Sequence, residues 1–89
     1  MFVIVSYDIV EDSKRNKVAD ILLDYGNRVQ KSVFECDLDE KNLKKMIKET
    51  SFYINPEKDS LRIYRLCESC FMKIEYIGRQ IVKDDVMIV

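Results

Sequence analysis

The chain has 89 residues, 47% of them hydrophobic, and its 15 basic and 16 acidic residues leave a net charge of −1. This length fits one domain, and a partner subunit would add stability because small domains bury a smaller share of their surface. No apolar run is long enough to span a membrane and the start lacks signal-peptide features, so we expect a cytoplasmic protein without membrane contact. The absence of histidine excludes Ser-His-Asp and Cys-His catalysis within the chain and leaves metal-assisted hydrolysis by carboxylates as the leading enzymatic option.

The first half of the chain predicts a strand, a helix and two more strands. The apolar run at 2–8 indicates a buried strand. A helix should start near Asp12 and end at Gly26-Asn27, since these residue types commonly follow the last turn. The stretch 28–38 is rich in β-branched and aromatic residues but long for one strand, so we expect a break near Lys31-Ser32.

The second half predicts a helix and three strands. Asp39 is typical of an N-cap before a second amphipathic helix. Alternation predicts a half-buried strand at 60–66, and apolar content predicts another at 71–77. The apolar end at 85–89 predicts a short last strand that needs an edge to pair with, and we favour the edge of a second copy.

This order of elements predicts the fold. It is β-α-β-β-α-β with an extra strand, the ferredoxin-like split βαβ arrangement of the α+β class, in which an antiparallel sheet carries two helices on one face. We therefore expect a single ferredoxin-like domain over 1–89, with 79–89 a C-terminal tail whose strand is exchanged in a homodimer.

The cysteines predict no disulfide framework. An odd count of three, with no secretion signal, argues against one. Cys67 and Cys70 form a C-x-x-C pair, but a structural zinc site needs four ligands and Cys36 could supply at most the third one. Ordinary reduced thiols are therefore favoured over a metal or redox site.

Asp8 is the first candidate functional residue, because it lies where the first strand leaves the core. An aspartate there is most often a turn former or cap. The other interpretation is a magnesium ligand, since Mg²⁺ is often held by one or two carboxylates, with water and phosphate completing its octahedron. A two-fold axis near the end of this strand would bring two copies of Asp8 to one Mg²⁺ ion, which could activate water against a phosphodiester.

Basic and aromatic residues elsewhere in the chain could bind a nucleic-acid ligand at such a site. Arginine can bind phosphate with two parallel hydrogen bonds, whereas lysine acts as a point charge. The basic candidates are Lys14, Arg15, Lys17, Arg28 and Lys31. Tyr7 and Phe34 could stack on bases, although both are also ordinary sheet residues that would contact a helix or a partner.

Several short motifs resemble, in their order and spacing, the small CRISPR-associated adaptation proteins of the Cas-two family. They are "YDI" at 7–9, Asp12 and Arg15, "YG" at 25–26, "RVQKSVFE" at 28–35, "DSLRIYRL" at 59–66 and Gly78. The resemblance implies a ferredoxin-like homodimer that acts with the Cas-one integrase in spacer acquisition, as part of antiviral defence. It also implies a magnesium-dependent endonuclease that cleaves single-stranded RNA or double-stranded DNA.

The resemblance also assigns residue roles. It implies that Asp8 is the metal ligand, shared with Asp8 of the second subunit, and that Lys17 stands where members often have arginine. The other implied catalytic positions are Tyr7, Arg15, Arg28 and Phe34. The C-terminal strand resembles the segment that members add to the partner's sheet and that contacts the integrase in some systems.

The resemblance leads to two possible roles, one enzymatic and one structural, and a third interpretation stays open beside them. The protein could hydrolyse phosphodiesters at the paired Asp8 residues, or it could be a rigid DNA-binding scaffold that bridges two integrase dimers without catalysis. The acidic pI of about 5.4 favours an integrase that supplies much of the positive surface. The third interpretation is a stand-alone, toxin-like ribonuclease of the same fold.

Overall fold

The computed structural model describes residues 1–78. The elements in this part of the chain are β1 (Phe2–Asp8), α1 (Asp12–Leu23), β2 (Gly26–Gln30), β3 (Val33–Asp37), α2 (Glu40–Ser51), β4 (Ser60–Leu66) and α3 (Glu68–Met72). The predicted tail at 79–89 and the predicted strand at 85–89 lie outside the described residues. No helix within 1–78 combines the length and the apolar character needed to cross a membrane.

The four strands form one sheet in the order β2-β3-β1-β4, and every neighbouring pair is antiparallel. Apolar residues of α1 and α2 join those of β1 and β3 in one buried cluster, so the two long helices share a face of the sheet. The predicted ferredoxin-like βαββαβ arrangement is confirmed.

Strand β1 lies at the centre and divides its side chains between the two faces. The odd-numbered residues from Val3 to Tyr7 belong to the buried cluster beneath the helices. The even-numbered residues from Ile4 to Asp8 point to the opposite side, because successive side chains of a strand alternate. We call that side the open face, since neither α1 nor α2 covers it.

Three of the predicted local features are confirmed. Asp39 is the N-cap of α2, and its carboxylate accepts a hydrogen bond from the Asn42 N–H at 2.8 Å. The turn at Lys31-Ser32 separates β2 from β3, and β4 spans Ser60–Leu66 as expected. The sequence signals were clear here because each depends on residues close together in the chain: a capping side chain, the length of an apolar stretch or alternation.

The predicted end of the first helix was wrong. Helix α1 ends at Leu23, and Gly26 is already the first residue of β2. A Cβ atom at Gly26 would lie 2.3 Å from the Glu35 carbonyl oxygen and 2.5 Å from the Cys36 sulfur. This glycine is therefore required by the close approach of β2 to β3, and not by the end of a helix.

The predicted strand at 71–77 was also wrong, because this stretch begins inside helix α3 and has no strand up to residue 78. The Phe71 ring packs on Phe2 of the open face, with 4.7 Å between ring centroids. Phe71 and Ile74 are three residues apart, and the Ile74 N–H donates to the Phe71 carbonyl at 3.2 Å. This spacing suits a helical turn, and the apolar content alone did not distinguish it from a strand.

Candidate functional site

A pocket of about 570 Å³ opens where β1 ends and the chain turns towards α1. It is lined by Tyr7, Asp8, Ile9, Asp12, Arg15, Asn16, Arg28, Lys31 and Ser32. Antiparallel pairing brings the β2–β3 turn beside the end of β1, since the Tyr7 N–H donates to the Ser32 carbonyl at 3.1 Å. Residues distant in sequence therefore meet at one end of the sheet.

Asp8 supplies an exposed carboxylate to this pocket. It is the last residue of β1, and it lies opposite Ser60 in the register with β4. Asp12 adds a second carboxylate from the first turn of α1. Within residues 1–78, no group of three or more His, Cys, Asp or Glu side chains is placed to hold a metal ion. One copy of this part of the chain therefore offers oxygen ligands but no complete protein cage.

The carbonyl oxygen of Lys31 organises the basic side of the pocket. The Arg28 guanidinium donates to it twice, at 3.0 Å from Nε and 2.6 Å from an Nη atom. The Tyr7 hydroxyl donates to the same oxygen at 3.4 Å. These contacts hold the guanidinium in one place, so its remaining N–H groups are presented from a fixed position.

Phe34 lies beneath Arg28 and does not line the pocket. Its side chain is fully buried, and the Arg28 guanidinium carbon lies 5.6 Å from the ring centroid. The expectation that Phe34 stacks on a base is not met in this conformation, because both sides of its ring are inside the fold. Its contact with Arg28 is instead a cation–π interaction that supports the arginine from below.

Tyr7 belongs mainly to the core, with only 4% of its surface exposed. Its ring tilts against Phe34 at a centroid distance of 6.3 Å. Burial raises the pKa of its hydroxyl, and the positive charges of Arg28 and Arg15 partly oppose that change. Tyr7 therefore stays protonated at neutral pH and serves as a hydrogen-bond donor at the pocket floor.

Arg15 reaches back from α1 to the loop that follows β1. One of its Nη atoms donates to the Ile9 carbonyl at 2.7 Å, and the other forms an ion pair with Asp12. Arg15 thus ties the helix to the end of the strand. Its pairing with Asp12 leaves the pocket with acidic and basic groups in direct contact.

Asp59 fixes the same loop from the other side. Its carboxylate accepts hydrogen bonds from the Val10 N–H and from the Asn55 N–H, both at 2.9 Å. These two backbone hydrogen bonds lower the pKa of Asp59. The loop after Asp8 is therefore joined to the loop before β4.

The structure brings together only some of the predicted site residues. Tyr7, Asp8, Arg15, Arg28 and Lys31 line one pocket, as the sequence suggested. Two lysines lie elsewhere. Lys14 pairs with Glu11 at 3.9 Å and lines a separate groove beside Asp59, and Lys17 is exposed outside both pockets.

Sequence reasoning missed three of the polar residues that line the pocket. Asn16 gave no signal, and Ser32 was noted only at the predicted break and within the motif at 28–35. Asp12 was noted only as a helix start and as part of the resemblance, and its position four residues after Asp8 could have indicated a second carboxylate at the same end of β1.

The open face carries apolar side chains and one unusual carboxyl group. Tyr64 lies opposite Ile4 and is 47% exposed. Tyr76 is 48% exposed, and burial and the charge of Glu35 raise the pKa of its hydroxyl. Glu35 has a buried carboxyl oxygen that finds no hydrogen-bond partner among residues 1–78, and burial raises the pKa of its carboxyl group. This mixture is unusual for a surface that faces only water.

Fold and pocket together are those of a small ferredoxin-like protein with a polar pocket at the end of its first strand. The family model for CRISPR associated protein Cas2 matches residues 1–74, and the chain belongs to this family. The resemblance noted in the sequence is thereby confirmed.

Known members show how similar the chain is. It is 48% identical over 79 residues to a protein named CRISPR-associated endoribonuclease Cas2 1 from Chloroflexus aurantiacus, covering 88% of this chain and 85% of the relative. It is 43% identical over 83 residues to a CRISPR-associated endonuclease Cas2 from Halalkalibacterium halodurans, covering 88% and 86%. It also matches a chain of a solved partial Cas6-RT-Cas1–Cas2 complex, with a TM-score of 0.67, 28% identity and coverage of 92% and 97%.

Proposed function

We propose that this protein works in CRISPR adaptation as a homodimer that binds nucleic acid, bridges integrase dimers and hydrolyses phosphodiester bonds with magnesium. The observation that carries the proposal is the pocket that places Asp8 beside Arg15, Arg28 and Lys31. A carboxylate among cations is the combination that a site for a divalent ion and a phosphate needs. The nuclease names of the relatives and the Cas1-containing complex agree with both halves of the proposal.

The basic residues of the pocket would bind the phosphate backbone. Arg28 is already oriented by the Lys31 carbonyl and by Phe34, so little side-chain entropy is lost when it binds. Arg15 would exchange its exposed contact with Asp12 for a phosphate, while its bond to the Ile9 carbonyl keeps it in place. Lys31 adds a charge without a fixed geometry.

Asp8 would hold the magnesium ion together with Asp8 of a second copy. Its exposed carboxylate is a hard oxygen ligand of the kind that Mg²⁺ prefers, and the ion commonly keeps several waters besides one or two carboxylates. Bound magnesium would supply Lewis-acid activation of water and charge stabilisation at the scissile phosphate. Within one copy, Tyr7 would remain a hydrogen-bond donor that keeps the floor of the pocket in shape.

The open face supports the homodimer. It exposes Tyr64 and Tyr76, and a second copy would remove this aromatic surface from water. Asp8 lies on the same side of β1 as Ile4, at the end of this face. Face-to-face packing of two copies would therefore carry a second Asp8 towards the first.

A purely structural scaffold is the second candidate. It is favoured by the small number of protein ligands, since no group of three or more metal-binding side chains forms within residues 1–78. A scaffold needs the basic residues and a contact with the integrase, but not Asp8. The two candidates therefore differ in what they require of one carboxylate.

The test compares the wild-type protein with Asp8→Ala and with Asp20→Ala, a matched change at an exposed aspartate of α1 outside the pocket. Labelled single-stranded RNA and duplex DNA are incubated with and without Mg²⁺, and spacer integration is assayed in parallel with the integrase. We expect Asp8→Ala to abolish cleavage and leave integration intact, and Asp20→Ala to change neither.

The alternatives give different results. If none of the proteins cleaves and all support integration, the scaffold is correct and the nuclease proposal fails. If the protein cleaves RNA but neither binds the integrase in a pull-down nor supports integration, it is a stand-alone ribonuclease and the adaptation proposal fails.

A further inference from the structure

The C-x-x-C pair lies at the start of α3, away from the pocket. Cys67 is the N-cap residue of this short helix, and both Cys67 and Cys70 are exposed and reduced. The Cys70 N–H donates to the Cys67 sulfur at 3.4 Å, so the sulfur of Cys67 lies over the turn that carries Cys70. The nuclease and scaffold functions use neither residue.

The backbone holds the two cysteines on one turn. The Phe71 N–H donates to the Cys67 carbonyl at 2.9 Å, which closes that turn. Side chains three residues apart on a turn are neighbours, with Cβ atoms about 5–6 Å apart. A disulfide needs roughly 4 Å between Cβ atoms, so only a small closure is required. The exposed side of this turn leaves room for it, while the Phe71 ring anchors α3 on Phe2 from the other side.

The two sulfur atoms differ in their chemistry. Hydrogen bonds from the backbone N–H and the thiol of Cys70 lower the pKa of Cys67. Hydrogen bonding to Cys67, together with its charge, raises the pKa of Cys70. Cys67 is therefore the sulfur that is more readily a thiolate, which is the reactive form.

A metal site is less well supported at this position. Two thiols supply half of the four ligands of a structural zinc site, and residues 1–78 contain no group of three or more side chains placed to hold a metal. Cys36 cannot join the pair, because it is buried in the core between the sheet and the helices.

We propose that Cys67 and Cys70 form a reversible dithiol–disulfide site that exchanges with disulfides of the glutathione class. The Cys67 thiolate attacks the oxidant's S–S bond, forms a mixed disulfide and releases one thiol. Cys70 then loses its proton and attacks the Cys67 sulfur, which closes the internal disulfide and releases the second thiol. The protein loses two protons and two electrons, and the oxidant's disulfide becomes two thiols.

The experiment treats the folded, reduced full chain with oxidised glutathione and follows intact mass and peptide maps. We expect the wild type to lose two hydrogens at Cys67–Cys70 without retaining glutathione, and a dithiol reductant to reverse this. Cys70→Ser should accumulate one glutathione on Cys67, because nothing resolves the mixed disulfide. Cys67→Ser should react at Cys70 roughly 3-fold or more slowly than Cys70→Ser reacts at Cys67.

Cys36 is the internal control, since burial raises the pKa of its thiol to about 11 and it should stay unmodified. Circular dichroism of each variant checks that the fold is kept. The proposal is overturned if the wild type retains glutathione as Cys70→Ser does, or if the exposed cysteines react no faster than Cys36. It is also overturned if the reduced protein as purified holds one zinc ion between two copies and does not react with oxidised glutathione until a chelator removes the zinc. No nucleic acid is present, so this test can fail independently of the proposed nuclease function.

Discussion

The two faces of β1 divide structure from chemistry within a single strand. Tyr7 and Asp8 are adjacent, yet Tyr7 is part of the buried cluster and Asp8 is an exposed carboxylate. The buried face gains its stability from packing, whereas the open face exposes aromatic side chains and the end of the strand exposes a carboxylate. Alternation along a strand therefore allows neighbouring residues to serve different purposes without interfering with each other.

The largest effect should come from the buried face. We expect Phe34→Ala to lower the free energy of unfolding by about 3–5 kcal/mol, because it removes a fully buried ring from the core. Tyr64→Ala, on the open face, should cost less than about 1 kcal/mol in the monomer. Urea denaturation at several protein concentrations measures both. If both variants lose the same free energy of unfolding at low protein concentration, the open face contributes as much to the stability of the monomer as the buried face.

The next effect concerns activity at the end of the strand. Asp8→Asn should reduce magnesium-dependent cleavage about 100-fold or more, since it removes the charge of the metal ligand. It should change the unfolding free energy by less than about 0.5 kcal/mol, because the side chain is exposed. Asp20→Asn is the matched control. Equal activities of the two variants would assign Asp8 to the turn and not to a metal.

A smaller effect is expected where the buried face supports the pocket. Arg28→Lys keeps the charge but loses both hydrogen bonds to the Lys31 carbonyl, so nucleic-acid affinity should fall about 3- to 10-fold. The salt dependence of binding should stay the same, because the number of neutralised phosphates does not change.

Arg65→Lys is the control for this experiment, since Arg65 pairs with Glu40 away from the pocket. Fluorescence anisotropy over a range of salt concentrations would measure all three proteins. An equal loss of nucleic-acid affinity in the two variants would show that the fixed orientation of Arg28 does not matter for binding.

The smallest effect tests the open face through pH. Burial raises the pKa of Glu35 above 4.5, so folding favours its protonated form, and stability is lost as pH rises through the folded-state pKa. Glu35→Gln removes the charge and should stabilise the protein by about 0.5–1 kcal/mol at pH 7 and much less at pH 4.

Thermal unfolding of Glu35→Gln at both pH values, beside the exposed control Glu57→Gln, measures this difference. A stabilisation that is the same at both pH values would show that ionisation of Glu35 has no part in it.

The fold could be predicted where local rules were sufficient. Asp39 was recognisable as a cap, and the alternation at 60–66 gave β4, because both signals depend on neighbours in sequence. Gly26 could not be interpreted correctly, since the atoms that require it belong to β3. The prediction of a strand at 71–77 failed for a similar reason, because α3 is positioned by the contact of Phe71 with Phe2, which is distant in sequence.

The pocket was predictable only in part. Asp8 and Arg28 could be predicted as site residues, because each lies in or at the end of a predicted strand and within a family motif. Phe34 was expected to stack on a base, but its ring is buried and lies against Arg28. The role of Asp59 was invisible, because its partners are backbone N–H groups of two separate loops.

The Lys31 carbonyl has a consequence for mutational scanning. This one oxygen accepts hydrogen bonds from both Arg28 and Tyr7, and it belongs to the backbone. Replacing the side chain at position 31 removes its charge but leaves the oxygen in place, so a scan of single substitutions would not measure what the oxygen contributes. Inserting one residue into the Lys31-Ser32 turn would instead displace the acceptor from both donors, and only a library of insertions would reveal how much the pocket depends on it.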